Sequence, residues 1–330
     1  MRNRRLGRTG FEVSEISFGC GGTAGLMVRG SHEEQCAVIS QALDAGVNVF
    51  DTSPTYGQGR SETNLGVVLR ALGVKPIVST KIDFAPSDFD DFAGAIDRSV
   101  QRSQERLGRE RLDILYLHSR VGRTRDLAGR VLSVDDVLRA GGIADIMDDL
   151  KRRGVVGAIG FTGLGHTDSV LTVLDADRFD LFQAYYNLIN PSAASLTVAA
   201  WRAQDYGEMI RLAAERDVGV VGIRVLAAGA LSESGALHRF AKDYSSLSKA
   251  EVDADRVKAD AFRPLAPEGA SMANFALRFA LSEPKIDTVL VGISESAHLE
   301  EALAAANAGP LEPERLEAIA ARFRELYEMA

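Results

Sequence analysis

Val47-Asn48-Val49-Phe50-Asp51 is a β-branched and aromatic run that follows a helical pattern and ends in a carboxylate. Upstream, Val38, Ile39, Ala42 and Leu43 keep the spacing of one helix face, and Gly46 closes that pattern. Glycine suits the left-handed position at which helices end, and a short β-branched run after it reads as a strand. The same unit recurs along the chain. Leu65, Val68, Leu69 and Leu72 precede Gly73 and a strand over 77–81, and a helix ending at Leu107-Gly108 precedes a strand over 114–118. Met147 and Leu150 precede Gly154 and a strand ending at Thr162, and Ile210, Leu212 and Ala213 precede Gly219 and a strand ending at Val225. Strands apolar on both faces belong inside a parallel sheet.

Eight such strands are expected, near 16–19, 49–51, 77–81, 114–118, 158–162, 181–184, 219–225 and 288–291. Eight βα units predict an α/β fold, a closed (β/α)8 TIM barrel, rather than an open doubly wound sheet. The open sheet would carry a regular dinucleotide-binding glycine motif after its first strand, and Gly19-Cys20-Gly21-Gly22 is too irregular for one. Residues 5–13 read as a β-hairpin turning at Thr9-Gly10, placed to plug the bottom of the barrel. The whole chain, 1–330, reads as one domain. Three long connections follow strands: from His118 to Gly141-Gly142, from Asn187 to Tyr206, and from Leu231 to Gly269. All fall on the C-terminal face, where barrels place active sites, and read as binding loops or lids.

The chain has 330 residues and a formal net charge of -8, which argues against a nucleic-acid partner. Its two cysteines, Cys20 and Cys36, build no disulfide framework and match no zinc spacing, so no metal is expected. No apolar run reaches the roughly 18 residues that cross a bilayer. Residues 1–8 lack the apolar stretch of a signal peptide, so the expected location is cytoplasmic, without a membrane partner.

Three consecutive strands deliver complementary groups to one rim. The second ends at Asp51, with Tyr56 shortly beyond; the third ends at Lys81; the fourth ends at His118. An ammonium beside a phenol stabilises the phenolate and lowers its pKa from about 10. Lys81 is expected to do this for Tyr56, with Asp51 holding Lys81 and His118 donating a hydrogen bond to a substrate oxygen. Taken singly, each residue has an ordinary reading: a solvated lysine, a capping aspartate, a packed tyrosine, a satisfied histidine. Together they suit proton transfer at a carbonyl or alcohol oxygen. Such a step needs an electron partner, which a nicotinamide supplies.

The run from Gly46 through Asp51-Thr52-Ser53-Pro54-Thr55-Tyr56-Gly57 to Gly59-Arg60-Ser61-Glu62 resembles the signature of the aldo-keto reductase superfamily. Ser79-Thr80-Lys81, Leu115-Tyr116-Leu117-His118 and Gln183-Ala184-Tyr185-Tyr186-Asn187 resemble it too, and the likeness runs from Leu6 to about Ala305. The resemblance implies a (β/α)8 barrel that binds a nicotinamide dinucleotide without a Rossmann domain. It implies Tyr56 as general acid/base, Asp51 and Lys81 tuning it, and His118 orienting the substrate. Gln183 would bond the carboxamide and Tyr186 would stack on the nicotinamide ring.

Departures from the family pattern shape the rest of the cofactor set. Where relatives often read Ser-Asn, this chain has Thr162-Gly163, which keeps a hydroxyl only. Where many read Ser-Pro-Leu, it has Arg224-Val225-Leu226, followed by Gly229 and Leu231. A guanidinium there suits a pyrophosphate, and Gly229 permits close approach of the backbone. After the eighth strand, Gly292, Ser294, Glu295, His298 and Glu301 sit in a stretch without Lys or Arg. Glu295 there predicts NAD(H) as the preferred cofactor, since an acid accepts from ribose hydroxyls and repels a 2′-phosphate; His298 leaves NADP(H) open.

Residues 161–165 and 225–231 resemble the branch with sugar and pyridoxal dehydrogenases. The expected partner is therefore a small-molecule substrate, a sugar or small aldehyde, with Trp201 as a wall for its face. Arg120, Arg123, Arg125 and Arg130 are candidate contacts for anionic substrates. The alternatives are a broad-specificity carbonyl reductase and, from another class, a cofactor-sensing regulatory subunit.

Overall fold

In the computed structural model an antiparallel hairpin, β1 (Asn3–Arg5) and β2 (Glu12–Ser14), precedes a closed barrel of eight parallel strands. The structure describes residues 1–22, 24–195, 201, 203–232 and 249–328. The first barrel strands are β3 (Ile16–Gly19), β4 (Val49–Asp51), β5 (Ile77–Ile82) and β6 (Leu112–Leu117). Two short strands, β7 (Arg120–Gly122) and β8 (Val131–Ser133), pair with each other outside the barrel. The barrel resumes with β9 (Val156–Thr162), β10 (Leu181–Tyr185), β11 (Gly219–Ile223) and β12 (Thr288–Gly292), which closes against β3. Each barrel strand pairs with its neighbour in sequence, as the repeating helix-glycine-strand unit predicts.

Helices form the outer ring, and their sequences say why. The helix His32–Asp44 opens on a capping box: Glu34 N donates to Ser31 Oγ at 3.2 Å, and Ser31 N donates to Glu34 Oε2 at 2.7 Å. Its inner face buries Val38, Ile39 and Ala42 in the layer between helices and barrel. Inside the barrel a separate cluster forms from Val49, Ile114, Tyr116, Ala158, Leu181 and Val221. The hairpin adds Leu6 and Val13 to it, both buried, so it plugs the bottom as expected. Fully burying such aliphatic side chains stabilises by roughly 1.5–3 kcal/mol each. Asp287 anchors the plug by accepting from Gly7 N at 3.1 Å and Val220 N at 2.9 Å.

The long connections contain more structure than their sequences advertise. The first holds β7, β8 and the helix Val134–Leu138. It is tied to the segment after β9: Val121 N donates to Leu164 O and His166 N to Val121 O, each at 2.9 Å. The connection after β11 holds the helix Lys249–Asp260 and a single 3-10 turn, Arg263–Leu265. That helix buries little beyond Val252 and Ala259, so its apolar periodicity is faint. Residues 233–248 of this connection, and residues 196–200 and 202 of the one after β10, lie outside the described residues. Among the described residues no helix is long and apolar enough to cross a membrane. None of their side chains cluster in threes as metal ligands.

Candidate active site

Asp51 ends β4, Lys81 lies near the end of β5, and His118 is the first residue beyond β6. The register pairs Asp51 with Ser79 and Lys81 with Tyr116, so the three arrive side by side at the C-terminal rim. Lys81 Nζ bonds Asp51 Oδ1 and also donates to Thr52 O at 2.7 Å. Asp51 Oδ2 accepts from Ser79 Oγ at 2.7 Å and from Gln183 Nε2 at 3.1 Å. Both ends of the ion pair are buried, Lys81 at 1% and Asp51 at 3% exposure. Desolvating two charges commonly offsets their attraction, so such a pair contributes little to the stability of a fold.

Tyr56 comes from the turn after β4, where Tyr56 N donates to Ser53 O at 3.1 Å. Gly57 follows with φ 60°, and a Cβ there would stand 2.5 Å from Val28 Cγ1, so only glycine fits the turn that presents the phenol. Lys81 Nζ lies 4.9 Å from the Tyr56 ring centroid. Burial pushes the phenol pKa up and the Lys81 ammonium only partly offsets this, so the net direction is upward. The expected lowering by Lys81 is present but outweighed by desolvation. Burial, reinforced by the Lys81 charge, pushes His118 down to about 3, so its imidazole is neutral at physiological pH. His118 Nδ1 lies 2.9 Å from Thr162 Oγ1.

These groups open into one cavity of about 1450 Å3. That exceeds the ~300–1,000 Å3 of ordinary small-molecule pockets and leaves room for a dinucleotide and a substrate together. Asp51, Tyr56, His118, Thr162 and Gln183 line it at the barrel mouth. Arg224, Leu226 and Gly229 line it beyond β11. Gly292, Ser294, Glu295, His298 and Glu301 line it beyond β12, at the start of the helix Ser296–Ala308. Arg224 lies over the Tyr185 ring, 5.8 Å from its centroid, and His298 Nε2 is 3.9 Å from Glu295 Oε1. Glu301 accepts from Ser271 Oγ. A guanidinium midway, glycine backbone on both sides and a helix start suit phosphates and ribose, so these residues fit a dinucleotide.

Three expected contacts are corrected. Tyr186 does not face the cavity; it is buried and stacks on Phe279 with centroids 5.2 Å apart. Strand parity is the reason: Gln183 and Tyr185 point inward, and Tyr186 points to the helix Met272–Leu281. Leu231 is fully buried in the outer core and Trp201 packs on Phe323 at 5.1 Å, so neither lines the cavity. Residues not anticipated do line it: Tyr185, Ile223, Asn187 and, from the helix Lys249–Asp260, Glu251, Asp255 and Lys258. Tyr185 was findable by counting two from Gln183; the helix was hidden in an apparently structureless stretch. Of the loop arginines, Arg120 reaches the cavity, whereas Arg123 pairs with Asp168 and Arg125 with Asp136.

Residues 15–322 match the model of the Aldo/keto reductase family. L-galactose dehydrogenase from Arabidopsis thaliana is 29% identical over 314 residues, 92% of this chain and 87% of that protein. D-threo-aldose 1-dehydrogenase from a Pseudomonas species is 28% identical, covering 88% of this chain and 89% of that protein. Among solved structures, the holo form of an aldo-keto reductase from Bacillus halodurans superposes with a TM-score of 0.71 at 21% identity, covering 98% of this chain and 96% of that one. With its eight-stranded barrel and a family match over nearly its whole length, this chain belongs to the aldo-keto reductase family of oxidoreductases.

Proposed function

We propose that the protein is a nicotinamide-dependent dehydrogenase that oxidises the CH–OH group of a sugar or small hydroxy-aldehyde, with Tyr56 as general acid/base. One observation carries the reading: a phenol beside a buried ammonium-carboxylate pair, with a neutral imidazole, on the wall of a cavity large enough for a dinucleotide. A bound nicotinamide would take up or deliver the hydride. The chain's own residues handle the proton. Lys81, held by Asp51 and Thr52 O, stabilises the Tyr56 oxygen as it gains or loses its hydrogen. His118 addresses a second polar group of the substrate and stays neutral, so its protonation takes no part in the pH profile above about pH 5. Similarity to an L-galactose dehydrogenase and a D-threo-aldose 1-dehydrogenase supports this substrate class.

Glu295 beside the helix start, in a segment 292–301 without Lys or Arg, favours NAD(H) over NADP(H). The test follows the near-ultraviolet absorbance of reduced nicotinamide with either cofactor and a panel of aldoses. Turnover with NAD at a kcat/KM at least about tenfold above NADP, roughly 1.4 kcal/mol, is expected. Glu295→Lys should narrow that ratio. A preference for NADP in the native chain would overturn the cofactor assignment, and no turnover with any aldose would overturn the substrate class.

A further inference from the structure

The connection after β6 carries four arginines with different fates. Arg123 pairs with Asp168 at 3.0 Å and Arg125 with Asp136. Arg130 is exposed and lies off the cavity wall. Arg120 lines the cavity, and its guanidinium has no ion pair or hydrogen bond among the described residues. Its backbone is held from two sides. Arg120 opens β7 opposite Val131 of β8, and the next residue is bonded to the segment after β9, Val121 N to Leu164 O and His166 N to Val121 O. Arg120 lies two residues past His118, so their Cα atoms are at most about 7 Å apart. It therefore belongs to the reacting end of the cavity.

The charges on the cavity wall are unevenly placed. Val121, Gly122, Val131, Leu164, Gly165 and His166 form the wall beside Arg120, and none carries a carboxylate. The carboxylates on the wall are Asp51, already engaged by Lys81, and Glu251, Asp255, Glu295 and Glu301, all from segments after β11 and β12. Lys258 bonds Asp255 at 2.9 Å, and Arg224 lies over the Tyr185 ring. The chain as a whole is acidic, so attraction of an anion at the reacting end is a local property of Arg120. A neutral substrate filling this end displaces water from the guanidinium and returns nothing; an oxyanion returns a forked, charge-assisted pair of bonds.

We propose that Arg120 is a specificity-determining residue that binds an anionic group, a carboxylate or a phosphate, on the part of the substrate away from the reacting carbon. The substrate class narrows from sugars in general to sugar acids and sugar phosphates. This rests on the proposed function for the reaction itself. Tyr56 and His118 take the reacting carbon and its surroundings, and Arg120 takes the charged end. The planar fork of a guanidinium matches either oxyanion, whereas a lysine offers only a point charge.

The kinetic test compares glucose and galactose with their uronates and their 6-phosphates. In the native chain kcat/KM for an anionic member should exceed that of its neutral parent by about fivefold or more, the size of one forked, water-exposed ion pair. The gain should sit mainly in KM and shrink with added salt. Arg120→Gln should bring the ratio to within about twofold of one, and Arg120→Lys should leave it in between. Arg123→Gln removes a charge of the same sign nearby and should keep the native ratio. A native ratio near one, or an equal fall in Arg123→Gln, would overturn the assignment. Calorimetric titration of the same uronates and phosphates into the full chain, with NADH or NADPH present, needs no turnover. Binding that is lost in Arg120→Gln supports the site even where no sugar is oxidised, an outcome that would sink the proposed activity alone. The tighter binder of the two identifies the anionic group, and binding of neither by the native chain would overturn the proposal.

Discussion

The bottom and the mouth of the barrel are built from the same strands, two residues apart. Val49 lies in the apolar plug layer, and Asp51, next on the same face of β4, lies in the polar layer that lines the cavity. On β10 the step is from Leu181 to Gln183, and along β6 it is from Ile114 and Tyr116 to His118 just past the strand. On β9 it is from Ala158 through Gly160 to Thr162. Inward-facing positions recur every second residue, so one face of each of these four strands carries hydrocarbon below and a polar group above. The lower layer stabilises the cylinder; the upper layer is held in place by it and carries charges that a fold alone would not favour.

Four variants separate or join these layers. Tyr56→Phe keeps the ring and removes the hydroxyl; turnover should fall about 10³-fold in steady-state assays while the melting temperature stays put. Residual turnover near the native rate would remove Tyr56 from the chemistry. Lys81→Met leaves Asp51 buried without its cation and should cost about 3–5 kcal/mol in urea unfolding, along with activity. An unchanged midpoint would mean that the mouth is wetter than its burial indicates. Leu6→Ala opens a void in the plug and should cost about 2–4 kcal/mol in the same unfolding assay, with KM for cofactor within about twofold of native. A matching loss of kcat/KM would show that the two layers are coupled.

The smallest effect belongs to Asp287. Burial pushes its carboxyl up to about 6, against the backbone bonds to Val220 and Gly7 that favour the charge. A carboxyl with a raised folded-state pKa stabilises most below its unfolded value near 4, and that contribution is lost as pH rises through about 6. Asp287→Asn should therefore flatten the stability profile between pH 4 and 6 by about 2 kcal/mol. Urea midpoints across that range check it; an unchanged slope would place the titration elsewhere.

The barrel was legible because the repeating unit is local: a helix face, a glycine and a β-branched run all fall within about twenty residues. Asp51, Lys81 and His118 were legible because each ends such a run. Tyr186 was misplaced because a motif gives neighbours in sequence, whereas the pleat sends Tyr185 into the cavity and Tyr186 away from it. Trp201 was misplaced because its partner, Phe323, is supplied by the helix Pro313–Glu328, far along the chain.

Gly165 has φ 123°, and a Cβ there would stand 2.0 Å from Val121 O. The crossing of these two backbones is therefore reserved for glycine, and it locks the segment after His118 to the segment after Thr162. Residues 126–130 lie beyond this crossing and beyond the Arg125–Asp136 pair, as an exposed excursion before β8. Lengthening or replacing that excursion should leave the imidazole undisturbed, which makes it the natural site for grafting new substrate recognition onto this scaffold.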